Sequence, residues 1–248
     1  AVPALAAKDT TPGLPVMVGL GDSWTWGQGA TDPLTGGYVA HANENLQAEL
    51  DCLPAASSKA RDGCKHLQMD NIARPGGYGW AGVTTDAVID EQLPVMLPLS
   101  ADRNGDSNPR IDVEAIFLSA GGNDVSTPVI NACIFGTEEQ CAATIGERLN
   151  HVAVNMHTIL GSLRAAAGPD TPIVVVTDDS PLEYCFLGAV PGAVDLGNTL
   201  LFLLDQTYRS VAANYDVAVA TTLGQLGEGD WVGGEDCLHP TDSGHMKV

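Results

Sequence analysis

The sequence is poor in basic residues, with eleven lysines and arginines against 31 aspartates and glutamates and a formal net charge of −20. A surface with this charge repels nucleic acid and anionic lipid, so we expect neither as a partner. We interpret the acidic excess as an aid to solubility. The chain also lacks any apolar run near the roughly 18 residues that a membrane span needs, which argues against stable membrane insertion.

Cysteine pairs of the C-x-x-C type are absent, so zinc-ribbon and thioredoxin-like sites have no support. Six cysteines are nevertheless present: Cys52, Cys64, Cys133, Cys141, Cys185 and Cys237. An even number of cysteines in a chain with few lysines favours disulfides over six buried thiols. Disulfides form in oxidising compartments, so we expect a secreted, extracellular protein.

The N-terminal residues 1–13 contain Ala4-Leu5-Ala6, the small-x-small pattern of a signal-peptidase site. No charged or strongly apolar region precedes it, and we interpret residues 1–13 as the remnant of a signal peptide. No repeat and no linker divides the rest of the chain. We therefore predict one domain over residues 14–248, acting as a monomer.

Apolar strands alternate with helical segments along the chain. The predicted strands lie at residues 14–20, 66–73, 111–119, 172–177 and 216–220, and the predicted helices at 37–50, 84–93, 137–166 and 195–214. Near-continuous Val, Ile and Leu strands between helices are typical of a parallel sheet covered on both faces. We therefore predict an α/β fold, a three-layer α/β/α sandwich around a mostly parallel five-stranded sheet. Three segments are interpreted as excursions from this pattern: 51–65, 94–110 and 124–141.

Polar residues follow the predicted strands, where open parallel sheets bind their ligands. Four short segments of this kind occur in order: GDSW at 21–24, NIARPG at 71–76, GGND at 121–124 and DCLHP at 236–240. Together they resemble the four sequence blocks of the SGNH (GDSL) hydrolase superfamily, and the resemblance covers residues 17–240. The rival α/β-hydrolase pattern G-x-S-x-G is not met, because Thr25 stands where its second glycine belongs.

The resemblance implies the flavodoxin-like SGNH hydrolase fold and a serine hydrolase that needs no cofactor. Ser23 is then the nucleophile, and it requires a base within hydrogen-bond reach. His239 is the candidate base, and Asp236 is placed to accept a hydrogen bond from its second ring nitrogen. Proline favours the first position of a helix, so we expect Pro240 to leave His239 at a helix entrance.

The oxyanion of an acyl-transfer intermediate needs preorganised donors. The resemblance assigns this role to the backbone N–H groups of Ser23 and Gly76 and to the side-chain amide of Asn123. Gly82 is an alternative to Gly76, because the segment between them is expanded. We expect Asp22 to organise its loop through hydrogen bonds instead of acting as a second acid.

Four aromatic residues near these segments leave two interpretations open, an acyl pocket or a cap on the core: Trp24, Trp26, Tyr78 and Trp80. The loop DRNGDSN at 102–108 resembles a calcium loop, but its glycine is fourth instead of sixth, so we interpret it as a solvated turn. The remaining histidines have no metal-like spacing: His41, His66, His151, His157 and His245. We expect no bound metal.

Six cysteines allow fifteen connectivities. Two pairs each bracket one excursion, which suggests local closure of Cys52 with Cys64 and of Cys133 with Cys141. Cys185 then remains for Cys237, and the disulfide-containing secreted actinobacterial esterases and lipases that this chain resembles also pair their cysteines in sequential order.

We therefore predict a secreted serine esterase or lipase that cleaves carboxylic esters, taking a small-molecule or lipid ester as its substrate. A carbohydrate acetyl-esterase of the same superfamily is the alternative. A catalytically inactive binding module is disfavoured, because Ser23, Asn123 and His239 are all intact. The acyl chain length stays open, as does the choice between a Ser-His-Asp triad and a dyad oriented by a backbone carbonyl.

Overall fold

The computed structural model describes residues 14–49, 68–73, 82–101, 111–234 and 236–248. Five strands form one sheet in the order β2-β1-β3-β4-β5, and every neighbouring pair is parallel. The strands are β1 (Leu14–Gly21), β2 (Gln68–Asn71), β3 (Ile111–Ser119), β4 (Ile173–Val176) and β5 (Ala218–Ala220). The predicted α/β class and the five-stranded parallel sheet are confirmed.

Helices account for most of the remaining described residues. They are α1 (Ser23–Trp26), α2 (Pro33–Gly36), α3 (Tyr38–Glu49), α4 (Thr85–Ala87), α5 (Leu93–Ala101), α6 (Gly122–Phe135), α7 (Glu138–Ala167), α8 (Ala193–Ala212) and α9 (Asp242–His245). A π-helical stretch, Val88–Gln92, joins α4 to α5, and short 3₁₀ turns lie at Leu182–Tyr184, Phe186–Ala189 and Glu228–Asp230. None of the helices in the described ranges has the length and apolar character that a membrane crossing requires.

Strand β1 shows how the sheet separates two apolar cores. Successive side chains of a strand point to opposite faces. Val16, Val18 and Leu20 lie in the larger core with residues of α5, α7 and α8, whereas Met17 lies in the smaller core with Val39 of α3. Helical layers on both faces therefore account for the near-continuous apolar sequence of the strand.

Two of the predicted excursions are helical, which corrects the sequence interpretation. Helix α5 covers the first part of 94–110 and contains Pro98, and α6 covers most of 124–141 and contains Pro128. An interior proline removes a backbone hydrogen bond and normally argues against a helix. Burial of Met96 on α5 and of Val129 on α6 offsets that cost, so packing outweighs local propensity. The third excursion, 51–65, lies outside the described residues.

Two disulfides are present among the described residues, Cys133–Cys141 and Cys185–Cys237. The first joins the end of α6 to the first turn of α7, and the second joins the segment after β4 to the loop that carries His239. Both pairs agree with the predicted connectivity. The expected pair of Cys52 with Cys64 lies outside the described residues.

Candidate active site

The turn after β1 presents Ser23 at the first position of α1. Gly21 has φ +127°, and a Cβ there would lie 1.9 Å from the Ser119 carbonyl oxygen, so only glycine fits between β1 and β3. Asp22 caps α1, since its carboxylate accepts a hydrogen bond from the Trp24 N–H at 3.0 Å. This is the organising role expected for Asp22.

Buried polar contacts hold α1 against the sheet. The Thr25 hydroxyl donates to the Leu20 carbonyl oxygen at 2.9 Å and accepts from the Ser119 N–H at 3.2 Å. The side-chain amide of Asn71, at the end of β2, donates to the Thr25 carbonyl oxygen at 2.8 Å. Residues at the ends of three strands therefore fix the backbone that carries Ser23.

His239 lies between Ser23 and Asp236. The Ser23 Oγ is 2.9 Å from Nε2 of His239, and Nδ1 of His239 is 2.5 Å from an oxygen of Asp236. If Nδ1 carries the proton and donates it to the carboxylate, Nε2 is free to accept from the serine hydroxyl. The serine and the carboxylate are 213 positions apart in the chain, and only the fold brings them to one histidine.

The loop carrying His239 forms a short antiparallel pairing with residues 231–232. The expectation that Pro240 begins a helix is therefore wrong. Pro240 does not begin a helix: it forms a β-bridge with Trp231, and the Val232 N–H donates to the His239 carbonyl oxygen at 3.0 Å. Helix α9 begins only at Asp242, capped by Thr241. Backbone pairing with residues 231–232 therefore positions the histidine, and a helix entrance does not.

Helix α9 is tied to the segment that follows α1. Asp242 accepts hydrogen bonds from the backbone N–H and the hydroxyl of Thr31 at 2.8 and 2.6 Å. Nε2 of buried His245 donates to the Gln28 carbonyl oxygen at 3.0 Å, and burial lowers the pKa of His245. A Cβ on Gly29 would lie 2.2 Å from the Pro240 carbonyl oxygen, which shows how closely the segment after α1 approaches the loop that carries His239.

Asp230 stabilises the same region through its carboxylate. Lys247 donates to one oxygen at 2.5 Å and the Ser243 hydroxyl to the other at 2.7 Å. Hydrogen bonds from Lys247 and Ser243 lower the pKa of Asp230 to about 2. The carboxylate therefore stays ionised at neutral pH and joins the 3₁₀ turn before Trp231 to the last residues of the chain.

Asn123 lies in the first turn of α6 and lines a cavity together with Ser23, Gly82 and His239. Its side-chain amide donates to the Val83 carbonyl oxygen at 2.9 Å, which fixes its orientation. Gly82 is the alternative to Gly76 as the backbone N–H donor to the oxyanion. It is among the described residues and has φ +90°. Gly76 lies outside the described residues.

Asp124 joins the Asn123 turn to the start of α4, a contact that sequence reasoning missed. Its buried carboxylate accepts from the Thr85 N–H at 2.8 Å and from the Thr85 hydroxyl at 2.7 Å, and burial raises its pKa. Asn155 of α7 donates to the same hydroxyl at 2.8 Å. The two segments that supply Gly82 and Asn123 are therefore held in one buried network.

The same network brings three residues of metal-ligating type together, although their sequence spacing gave no sign of it. Ligand atoms of Asp86, Asp124 and His151 all lie within 4.8 Å of one another. Nε2 of His151 is 2.8 Å from an Asp86 oxygen and 3.2 Å from the Asn155 amide nitrogen. Protein hydrogen bonds already account for this arrangement.

The cavity beside Ser23 has a volume of about 500 Å³ and mostly apolar walls. Trp24 is buried, lines the cavity and packs edge-to-face on Trp231 with ring centroids 5.7 Å apart, so it contributes to both pocket and core. Trp26 is half-buried. The other two aromatic candidates, Tyr78 and Trp80, and the loop 102–108 lie outside the described residues.

Two carboxyl groups lie in the cavity wall beneath the serine. Asp178 follows β4 and accepts a hydrogen bond from the Ser119 hydroxyl at 3.0 Å, while burial raises its pKa to about 6. Burial first, and then the nearby charge of Asp178, raises the pKa of Asp22 well above its usual value. Burial and mutual repulsion therefore favour the protonated forms of these two carboxyl groups.

A serine, a histidine and a carboxylate in one hydrogen-bonded chain form the arrangement found in serine hydrolases. Its place at the carboxyl edge of a parallel sheet, beside a cavity, is where α/β enzymes bind ligands. The fold and the site together therefore define the class of α/β serine hydrolases.

The sequence matches the GDSL-like Lipase/Acylhydrolase family over residues 20–247. The chain therefore belongs to this family and is a carboxylic ester hydrolase, which confirms the resemblance carried by the GDSW, NIARPG, GGND and DCLHP segments. No relative among the curated proteins matches the sequence.

Solved structures with the same fold include two from Streptomyces. The extracellular lipase of Streptomyces rimosus superposes with a TM-score of 0.61 at 17% identity, covering 94% of this chain and 95% of that one. Phospholipase A1 of Streptomyces albidoflavus gives 0.57 at 20% identity, covering 94% of each chain. An acetylxylan esterase of Geobacillus stearothermophilus gives 0.54 at 14% identity, covering 94% of this chain and 90% of that one. At these identities the likeness establishes the fold.

Proposed function

We propose that the protein is a secreted serine esterase or lipase that hydrolyses carboxylic esters through an acyl-enzyme on Ser23. The observation that carries the proposal is the hydrogen-bonded chain from Ser23 through His239 to Asp236. The two disulfides, together with the extracellular Streptomyces lipase among the structural neighbours, support secretion. We further propose that residues 14–248 act as one domain and as a monomer.

The first half of the reaction forms the acyl-enzyme. Nε2 of His239 takes the proton from the Ser23 hydroxyl as its oxygen attacks the ester carbonyl carbon. Asp236 stabilises the imidazolium ion and keeps the ring in the productive tautomer. The same proton then passes from Nε2 to the alcohol oxygen as the bond to the carbonyl carbon breaks, leaving the acyl group on Ser23.

The second half of the reaction frees the enzyme. A water molecule gives a proton to Nε2 of His239 and attacks the acyl carbon, and the proton returns to the Ser23 oxygen as the acid leaves. In both halves the oxyanion needs donors, which we assign to the Ser23 N–H, the Asn123 amide and the Gly82 N–H. Their shared place in the cavity lining supports this set, with Gly76 as the alternative third donor. The chemistry needs no cofactor.

A carbohydrate acetyl-esterase is the second candidate, favoured by the acetylxylan esterase among the structural neighbours. The mechanism on Ser23 is the same for both candidates. The two candidates differ in the acyl group that the cavity must hold. An acetyl group occupies only the first few ångströms beyond the serine.

The nucleophile is tested with Ser23→Ala. We expect it to abolish both hydrolysis of p-nitrophenyl butyrate and covalent labelling by a fluorophosphonate, because no other hydroxyl contacts His239 among the described residues. Ser210→Ala is the matched control, since Ser210 is exposed on α8. Circular dichroism should show both variants folded. Appreciable turnover or labelling in folded Ser23→Ala contradicts the proposal.

A further inference from the structure

The cavity beside Ser23 continues as a groove between α6 and α8. On α6 it is lined by Ser126, Ile130 and Ile134, and on α8 by Ala193, Gly197 and Leu201. Residues four apart lie on one face of a helix, so each set forms a single stripe. The two stripes face one space that begins at Ser23 and His239, and we call this space the α6–α8 groove.

The segment 180–190 forms a third wall of the groove. Leu182 packs against Gly197, where a Cβ would lie 2.4 Å from the leucine Cδ1 atom. Leu187 and Val190 also line the groove. The disulfide between Cys185 and Cys237 joins this wall to the loop that carries His239. The third wall is therefore covalently linked to the catalytic segment.

Large apolar side chains remain accessible along the groove. Ile130, Ile134, Val190 and Leu238 are 37%, 43%, 39% and 48% exposed, and all four line it. Contiguous accessible apolar surface on a soluble protein usually marks a binding site. Here the accessible apolar surface is continuous with the catalytic serine. The group that binds this apolar surface is therefore part of the substrate that reacts with Ser23.

We infer that the α6–α8 groove binds the acyl chain of the ester and that the preferred chain is linear and about a dozen carbons long. This inference rests on the proposed function and names its substrate class. From Asn123 to Ile134 the axis of α6 spans about 16 Å at 1.5 Å per residue. An extended chain advances roughly 1.2 Å per bond, so a chain of about twelve to fourteen carbons fills that length.

The chain-length preference is measured with p-nitrophenyl esters of acetate, butyrate, octanoate and dodecanoate, each below its micellar concentration. Burial of each methylene favours the transition state by up to about fourfold. We expect kcat/KM to rise by at least about 100-fold from acetate to dodecanoate. Free dodecanoate should also inhibit hydrolysis of the acetate ester competitively.

The location of the chain is tested with Ile130→Asp, which places a charge midway along the groove. We expect the ratio of kcat/KM for dodecanoate over acetate to fall about tenfold or more, because the charge is desolvated when the chain binds. Inhibition by dodecanoate should weaken in parallel. Val154→Asp is the matched control, since Val154 is 55% exposed on α7 and away from the groove lining. Both rates should stay unchanged in this control, and both variants should unfold near the wild-type temperature.

The outcomes separate the inference from the proposed function. If Ser23 is labelled by a fluorophosphonate but acetate is the best substrate, the acyl-chain inference is wrong and the acetyl-esterase candidate stands. The inference is equally wrong if Ile130→Asp leaves the ratio unchanged. If no ester is hydrolysed and Ser23 is not labelled, the proposed function fails and the inference fails with it.

Discussion

At the scale of single residues, the local backbone conformation positions the side chains of this site. Ser23 is presented by a strand end that only glycine at position 21 permits, and His239 by backbone pairing with Val232. Asp236, by contrast, is more exposed: 42% of its side chain is accessible, compared with 12% for His239. How much this accessible carboxylate contributes decides between a triad and a dyad.

Asp236→Asn tests the triad directly. We expect kcat to fall by about 10⁴, because an asparagine amide donates to Nδ1 and so favours the unproductive tautomer of His239. The measurement is kcat for p-nitrophenyl butyrate at pH 8, with exposed Asp170→Asn as the control. A loss of only a few fold would show that a backbone carbonyl orients the histidine.

At the scale of elements, the loop around His239 is fastened on two sides. Backbone pairing with residues 231–232 holds it from one side, and the bond from Cys237 to Cys185 holds it from the other. Cys237 is two positions before His239, so the disulfide limits how far the imidazole can drift. The bond also closes a loop with a sequence separation of 52, worth on the order of 4 kcal/mol in the chain-entropy model.

Replacing both Cys185 and Cys237 with serine should reduce activity at temperatures where the protein is still folded. The physical reason is that a loosened His239 no longer keeps Nε2 within reach of Ser23. Activity and circular dichroism are followed together during heating. The control replaces Cys133 and Cys141, which are eight positions apart, and this variant should lose activity only as it unfolds. Peptide mapping that finds Cys237 free, or joined elsewhere, contradicts the argument.

At the scale of the whole molecule, acidic residues lie inside the fold as well as on its surface. Asp22, Asp124 and Asp178 are enclosed near the site, and the pKa of each is raised by burial. A carboxyl whose pKa is higher in the folded than in the unfolded state stabilises the fold only while it is protonated. The stability of this protein should therefore depend on pH in the mildly acidic range.

Asp178→Asn isolates one of these groups. Burial raises the pKa of Asp178 from its ordinary value of 3.8 to about 6 in the folded protein, so its favourable contribution is complete below pH 4 and lost by about pH 6. Relative to wild type, the variant should gain roughly 1–3 kcal/mol above pH 6 and little below pH 4. Urea unfolding from pH 4 to pH 8 measures the difference, with Asp170→Asn as the exposed control. A difference that does not vary with pH would contradict the raised pKa.

The sequence by itself determined the strands, the main helices and the residues that the site brings together. Val, Ile and Leu runs specify buried strands through short-range periodicity, and four ordered segments pointed to Ser23, Asn123 and His239. Local closure suggested the Cys133–Cys141 pair, and the Cys185–Cys237 pair was expected from the assumed Cys52–Cys64 bond together with the sequential pairing that the family resemblance implies. All of these signals depend on neighbours along the chain or on a recognisable order of motifs.

Only the tertiary structure decided the helical state of the segments around Pro98 and Pro128, because burial of Met96 and Val129 outweighs a local penalty. It also decided the contact of Asp124 with Thr85, the raised pKa of Asp178 and the course of the α6–α8 groove. Each depends on residues about 40 or more positions apart, whose separation in space is set by strand order and helix packing. No local pattern encodes those distances, so the walls of the groove became visible only once α6, α8 and the segment 180–190 were placed together.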